Sequence, residues 1–158
     1  MIKAENFNIP EHKPRILIAP LDWGLGHATR CIPIIFTLIH QGCTVFVAAE
    51  GPVKTLLQKE FPDLLFIELK GYRVSYSRNK FWMPVKLLLQ LPKILFRIYA
   101  ENRWLKNAVK VNSINAIISD NRMGLFHHKI PCIYITHQLT IKTGNRFTEN
   151  IAQKIHYH

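Results

Sequence analysis

Short apolar runs alternate with helical patterns along most of this 158-residue chain. The runs are rich in strand formers and nearly continuous in apolar residues, as in strands that helices cover on both faces. Because strand–helix alternation implies parallel pairing with right-handed crossovers, the sequence predicts an α/β fold with a doubly wound, Rossmann-like parallel sheet. The predicted strands are Arg15–Pro20, Thr44–Ala49, Leu64–Leu69, Ile114–Ser119 and Cys132–Thr136.

Helical patterns over residues 27–41, 52–61 and 82–110 separate these strands. Pro33 predicts a kink in the first helix or a late start near it, and Pro92 predicts a break or kink in the third. Residues 1–13 are predicted to be an N-terminal extension and residues 14–158 one domain. The final segment, 147–158, is amphipathic without a helix stop signal, which favours a sequence that is part of a longer chain. A C-terminal helix that packs on the sheet is the alternative.

Positive charge is concentrated in one quarter of the chain. The whole chain has 21 Lys and Arg against 10 Asp and Glu, for a net charge of +11, and residues 70–110 hold ten of the basic residues with Glu101 alone to oppose them. This distribution indicates a local cationic surface.

The composition excludes a disordered chain. No apolar run approaches the roughly 20 residues of a membrane span, and the N-terminus lacks a signal peptide. Three scattered cysteines predict a reducing, cytoplasmic location.

The turn after the first predicted strand is the segment that most clearly indicates a ligand-binding site, and its sequence is PLDWGLGHATR. Glycines let backbone N–H groups approach a ligand, and the helix N-terminus that follows favours a phosphate or diphosphate. We therefore predict a diphosphate-binding loop, with a tight turn without a ligand as the alternative; its residues are Gly24, Leu25, Gly26 and Thr29. Only two glycines of the NAD fingerprint are present, because Thr29 occupies the third position. An NAD-type domain with Glu50 as ribose-binding acid is a third reading.

His27 and Asp120 are the candidate catalytic residues. An imidazole at the start of the helix can accept a proton from a sugar hydroxyl, and a carboxylate at the end of the fourth strand can orient that imidazole. The alternatives are a His27 that only caps the helix or bonds the loop, and an Asp120 that caps a short helix over residues 122–128. Residues that follow the fourth and fifth strands are predicted to line the same crevice: Asn121, Thr136, His137 and Gln138. No metal site is expected, because the His pairs lack suitable spacing to other ligands.

Four segments of the chain carry a family resemblance: APLDWGLGHATRCIPII, FPDLLFIELKGYRVSYS, LLLQLPKI and IISDNRMGLFHHKIPCIYITHQL. They resemble the N-terminal half of a GT-B glycosyltransferase over roughly residues 14–150. The specific likeness is to a bacterial family of glycosyltransferases related to the enzyme that adds N-acetylglucosamine to the lipid-linked peptidoglycan precursor.

The resemblance implies an inverting, metal-independent transferase with two Rossmann-like domains and an active site between them. This chain would be the acceptor-binding domain, and a C-terminal domain beyond its 158 residues would hold most of the nucleotide-sugar donor, a UDP-sugar. The chain alone is then expected to be inactive, and no cofactor is implied. In this likeness Gly24, Gly26 and His27 belong to the loop that faces the cleft, with His27 as base and Asp120 as its partner.

The basic helical segment over residues 82–110 suggests a membrane surface. Its polar stripe consists of Lys86, Gln90, Lys93, Arg97 and Glu101, and its apolar side includes Pro84, Leu88, Leu91, Leu95 and Ile98. With aromatic residues at its start, this pattern predicts contact with anionic lipid through Lys80, Phe81, Trp82 and Lys86. Packing on the sheet with a solvated basic side is the alternative.

The resemblance favours membrane contact, since relatives with lipid-linked acceptors dock on membranes, and implies a peripheral position on the inner membrane face. A non-catalytic module that binds membranes or phosphorylated ligands is the alternative function. Nucleic-acid binding is not expected, because no helix-turn-helix, zinc-finger or RNP-type motif is present.

Overall fold

A computed structural model describes residues 13–72 and 83–136 of the chain. Within them five parallel strands form one sheet in the order β3-β2-β1-β4-β5, which confirms the predicted doubly wound α/β architecture. The elements are β1 (Arg15–Pro20), α1 (Leu25–His40), β2 (Thr44–Ala48), α2 (Gly51–Glu60), β3 (Leu65–Ile67), α3 (Met83–Asn112), β4 (Ala116–Asp120) and β5 (Cys132–Ile135). The predicted N-terminal extension lies almost entirely, and the helix over residues 147–158 entirely, outside the described residues.

Helices cover both faces of the sheet, because successive side chains of each strand point to opposite faces. Ile16 and Ile18 of β1 pack with buried residues of α1 and α2, whereas Leu17 and Ala19 pack on the other face with Leu105 of α3. The central strands β1, β2 and β4 are buried along almost their whole length. This two-sided burial explains why their sequences are continuous apolar runs rather than alternating ones.

The proline in α1 does not delay the start of the helix, so the late start near Pro33, one of the two alternatives that the sequence predicted, is wrong. The helix begins at Leu25, eight residues before Pro33, and continues to His40. Pro33 lies on an exposed part of the helix, and the Thr37 hydroxyl donates a hydrogen bond to its carbonyl oxygen at 2.8 Å. α3 likewise continues through Pro92 as one helix, so the predicted break is wrong.

The buried side of α3 differs from the predicted one. Glu101, assigned by its spacing to a solvated polar stripe, is 4% exposed, whereas Leu95, assigned to the apolar side, is 63% exposed. Leu105 and Ala108 are buried with Glu101. The helix therefore faces the sheet with a side that includes the carboxylate, and it does so because that carboxylate has buried partners at the ends of the strands.

Candidate functional site

The turn between β1 and α1 is built around one glycine. Gly24 precedes the first residue of α1 and has φ 113° and ψ 165°, a conformation that residues with a Cβ avoid. No side chain caps the helix, so α1 begins with backbone N–H groups unsatisfied by a capping oxygen. Gly24, Leu25 and Gly26 are all exposed. The predicted loop is thus an accessible turn at a helix N-terminus, which suits an anionic ligand.

His27 and Asp120 meet directly at the carboxyl end of the sheet. His27 Nδ1 lies 2.9 Å from Asp120 Oδ2, with the His27 side chain 12% exposed and that of Asp120 1% exposed. β1 and β4 are neighbours in which Pro20 pairs with Asp120, so the last residue of β4 lies beside the turn that leads into α1. When Nδ1 donates its proton to the carboxylate, Nε2 is the acceptor nitrogen of the ring. This geometry is that of an oriented general base.

The alternative assignment of Asp120 as a helix cap is wrong. Residues 121–131 form turns and bends rather than a helix, so no helix N-terminus follows the carboxylate. Asn121 instead has φ 57° and ends the strand, while its backbone N–H donates to the Ile135 carbonyl at 3.0 Å. The left-handed turn fixes Asp120 as the last residue of β4.

Arg30 is a second partner of Asp120 that the sequence-based assignment missed. Its Nη1 donates to Asp120 Oδ1 at 3.1 Å, so the two carboxylate oxygens serve different donors, and the Arg30 side chain is 38% exposed. The spacing contained the signal, because residues three apart on a helix share a face and His27 and Arg30 are so spaced. Thr29, predicted to bind substrate, donates its hydroxyl to the Gly26 carbonyl at 3.0 Å within α1.

Cys31 lies buried close to Asp120. Burial, together with the Asp120 carboxylate, raises the pKa of the Cys31 thiol from 9.0 to about 12. The side chain packs with Ala28 and Ile35 in the core between α1 and the sheet. Cys31 is therefore a buried, protonated thiol close to the Asp120 carboxylate rather than a nucleophile.

The remaining predicted site residues divide by position. Thr136 follows β5 and is half-buried, and Asn121 follows the neighbouring β4, so both lie at the carboxyl edge with Asp120. The Tyr134 hydroxyl donates to Asn121 Oδ1 at a long 3.4 Å. His137 and Gln138 lie outside the described residues, as do Lys80, Phe81 and Trp82, and only the backbone of Lys86 is described.

A buried ion pair beneath the strand ends joins the loops that surround the site. Arg122 Nε donates to Glu101 Oε1 at 2.5 Å, and both side chains are almost fully buried. The same guanidinium donates to the carbonyl of Pro20 at the end of β1 and to that of Lys70 after β3. One cation therefore connects α3 with three loops at the carboxyl edge.

Tyr72 completes this buried cluster. Its hydroxyl donates to Glu101 Oε2 at 2.5 Å and accepts the backbone N–H of Met123 at 3.0 Å. The Gly124 N–H also donates to Glu101 Oε2, and a Cβ at Gly124 would lie 2.5 Å from the Ile98 carbonyl oxygen. Burial, reinforced by the neighbouring carboxylate, raises the pKa of the Tyr72 phenol. Both carboxylate oxygens of Glu101 thus accept hydrogen bonds from defined donors.

Glu50, the candidate ribose-binding acid, anchors a loop. Its Oε1 accepts the Gly71 backbone N–H at 2.7 Å. Gly71 in turn leaves room for the Asp22 carboxylate, since a Cβ there would lie 1.7 Å from Asp22 Oδ2. These contacts bring the loop after β3 against the turn after β1.

The described part of the chain offers no evident metal centre: no three His, Cys, Asp or Glu side chains come together there as ligands would. No helix among the described residues is long and apolar enough to cross a membrane.

Solved structures of glycosyltransferases share this fold. SnogD from Streptomyces nogalater matches 92% of this chain with 13% identity and a TM-score of 0.54, over 41% of its own length. MurG from Acinetobacter baumannii matches 91% with 13% identity and a TM-score of 0.51, over 39% of its length. LpCGTa in complex with UDP matches 79% with 16% identity and a TM-score of 0.52, over 30% of its length.

The likeness is one of three-dimensional structure. No protein-family model and no curated protein sequence matches the chain. The chain spans only about 30–41% of the length of these solved glycosyltransferases. At identities of 13–16% the match establishes the architecture. The chain therefore has the Rossmann-like fold of the N-terminal half of a GT-B glycosyltransferase.

Proposed function

We propose that this chain is the acceptor-side domain of a nucleotide-sugar-dependent glycosyltransferase in which His27 is the general base. The observation that supports this most strongly is the 2.9 Å contact between His27 Nδ1 and the buried Asp120 carboxylate, beside an exposed glycine turn. Ligands of open α/β sheets bind at this carboxyl edge. The shared fold of three glycosyltransferases agrees with the assignment.

The proposed reaction is an in-line displacement at the anomeric carbon of the donor sugar. An acceptor hydroxyl oxygen attacks that carbon, its proton passes to His27 Nε2, and the bond to the diphosphate oxygen breaks with release of the nucleoside diphosphate. The configuration of the anomeric carbon is inverted. Asp120 acts as a positioning residue that holds the ring and stabilises the imidazolium formed in the step.

The donor is proposed to be a UDP-sugar, and LpCGTa is a relative in fold whose structure holds UDP. The backbone N–H groups at Gly24, Leu25 and Gly26 are suited to the diphosphate, since they lie exposed at the N-terminus of α1. Asn121 and Thr136 are proposed to line the same crevice, and His137 and Gln138 stay predictions of the sequence. Most donor contacts would belong to a second domain, and no cofactor is required.

The test is a transfer assay with the full-length polypeptide that contains this sequence. UDP release from a panel of UDP-sugars is measured with saccharides and extracted bacterial lipids as acceptors, for the wild type and for His27→Asn. The proposal expects acceptor-dependent release that falls by about 10²–10⁴-fold in the variant. His40→Asn, an exposed histidine at the far end of α1, is the matched control. Equal rates for His27→Asn and wild type would remove His27 from the mechanism.

We propose docking on an anionic membrane as a second function, and the outer face of α3 supports it. We define this face by its exposed apolar residues, Leu89, Leu95, Phe96 and Tyr99, which are 63–76% exposed. At about 100° per residue, Leu89, Phe96 and Tyr99 lie on the side of the helix opposite the buried Leu105, and Leu95 lies at the edge of that side, about 80° from Leu105. Lys93 and Arg103 are exposed near them, and each basic residue near an anionic leaflet adds about 1 kcal/mol of attraction. A peripheral location on the cytoplasmic face of a membrane is part of this second proposal.

Vesicle co-sedimentation tests the second function. The chain is expected to sediment with phosphatidylglycerol vesicles at about 0.1 M salt, where the Debye length is about 10 Å, and to be released near 1 M, where it is about 3 Å. It should not sediment with phosphatidylcholine vesicles. The double variant Phe96→Ser/Tyr99→Ser should lose binding, while Val111→Ser, equally exposed near the end of the same helix, should retain it. Retained binding by the double variant would contradict the assignment.

A further inference from the structure

Asp120 is a buried carboxylate that two donors of α1 share. Its side chain is 1% exposed, its Oδ2 lies 2.9 Å from His27 Nδ1, and its Oδ1 lies 3.1 Å from Arg30 Nη1. Removing an ionised carboxylate from water is costly unless a positive charge compensates it. When Asp120 is ionised, one of these two side chains therefore has to supply that charge.

The two donors differ in what that charge does to the proposed reaction. A guanidinium keeps its proton throughout the physiological pH range, so Arg30 is a permanent cation. His27 carries a positive charge only as an imidazolium, and an imidazolium has no nitrogen lone pair with which to accept a proton. A carboxylate neutralised by His27 alone would therefore hold the imidazole in the form that cannot act as a base.

We infer that Arg30 is the permanent counter-ion of Asp120 and thereby leaves His27 neutral and able to accept a proton, an inference that rests on the proposed function. Arg30 is a positioning residue in this role, because it acts through Asp120 rather than on the substrate. The two donors lie three residues apart on one face of α1, so both reach the same carboxylate. Because Oδ1 accepts from Arg30, Oδ2 is left to His27.

Cys31 of α1 and Tyr134 of β5 also feel the charge of Asp120, and both are neutral near pH 7. Burial, together with the Asp120 carboxylate, raises the pKa of the Cys31 thiol to about 12 and raises the pKa of the Tyr134 phenol. Neither group can therefore replace Arg30 as the counter-charge. The Arg30 side chain is 38% exposed, so solvent screens part of its field and the expected effect is moderate.

Nitrogen NMR of the chain with isotope-labelled histidine tests the counter-ion without any transfer reaction. Imidazole nitrogen shifts distinguish protonated from neutral rings, and the signals lost in His27→Asn are those of His27. Near pH 7 the ratio of protonated to neutral His27 should rise about tenfold in Arg30→Gln and in Arg30→Met, because the remaining Asp120 charge favours the imidazolium. Arg30→Lys keeps the positive charge and should stay near the wild-type ratio. Arg103→Gln removes the same charge from an exposed position on α3 and should leave the ratio unchanged.

An unchanged ratio in both neutral variants of Arg30, or an equal rise in Arg103→Gln, would overturn the inference. In the full-length enzyme, the acid side of the pH–rate profile of Arg30→Gln should move to higher pH by about one unit, with KM for the acceptor little changed. A rate loss of equal size at every pH would assign Arg30 a purely structural role and overturn the inference. If the NMR ratio responds as expected but no donor supports transfer, the counter-ion stands and the transferase assignment fails.

Discussion

His27 and Asp120 are 93 residues apart in sequence, yet Nδ1 of one lies 2.9 Å from Oδ2 of the other. The distance follows from sheet order, because β1 and β4 are adjacent and Pro20 pairs with Asp120. Asp120→Asn keeps the shape of the side chain but cannot stabilise an imidazolium. We expect the transfer rate of the full-length enzyme to fall by about 10²–10⁴-fold.

Measurement of kcat by UDP release checks this expectation, with thermal denaturation to verify folding. Asp63→Asn is the matched control, since Asp63 is an exposed carboxylate just before β3, at the opposite end of the sheet. A wild-type rate in Asp120→Asn would show that the carboxylate does not assist the base.

Two alanine substitutions in the glycine turn should have opposite effects on stability. Gly24→Ala places a Cβ on a backbone with φ 113°, and such strain costs about 1–3 kcal/mol. Gly26→Ala lies within α1 with no atom near the added Cβ, and alanine there should stabilise by about 0.5–1 kcal/mol. Urea unfolding of both variants measures the difference. Equal destabilisation by both would contradict the assigned turn.

The buried Glu101–Arg122 pair should be a major determinant of stability. Glu101→Gln leaves a buried guanidinium without its counter-charge, which costs about 3–5 kcal/mol. For a domain of this size that corresponds to a fall in Tm on the order of 10 °C. Tyr72→Phe removes only a hydroxyl and should cost about 1–3 kcal/mol. Arg103→Gln, exposed on the same helix, should change stability by less than about 0.5 kcal/mol, and a similar loss there would refute the special role of the pair.

The cysteines should differ in their reaction with iodoacetamide. Cys31 is buried with a pKa raised to about 12, whereas Cys132 is exposed. Near pH 8 Cys132 should be alkylated first and Cys31 only after unfolding, as peptide mass spectrometry can measure. Because the folded pKa lies above the unfolded value of 9.0, Cys31 stabilises the fold below pH 9 and loses this contribution as pH rises toward 12. Rapid native labelling of Cys31 would contradict its burial.

The sheet and the meeting of His27 with Asp120 were predictable because they depend on local patterns. Continuous apolar runs identify the central strands, and parallel strands bring their carboxyl ends to one edge. The third strand is shorter than predicted, Leu65–Ile67 rather than Leu64–Leu69, since its apolar run extends beyond the pairing with β2.

The orientation of α3 was not predictable from its own sequence. Helical spacing places Glu101 on a polar stripe, and only the position of Arg122, 21 residues later, makes its burial favourable. Arg30 was missed for a related reason. A basic residue on an amphipathic helix is usually solvated, and its role depends on a carboxylate 90 residues away.

Asp120 has the same strand parity as Ile118 and therefore points to the face that α1 covers, while Ser119 points away from it. Deletion or insertion of a single residue within β4 would exchange these two faces and replace the acid beside the imidazole with a hydroxyl. Homologues of this chain should consequently differ in length between the secondary-structure elements. In every homologue that keeps the His27–Asp120 pair, β4 should have the same length.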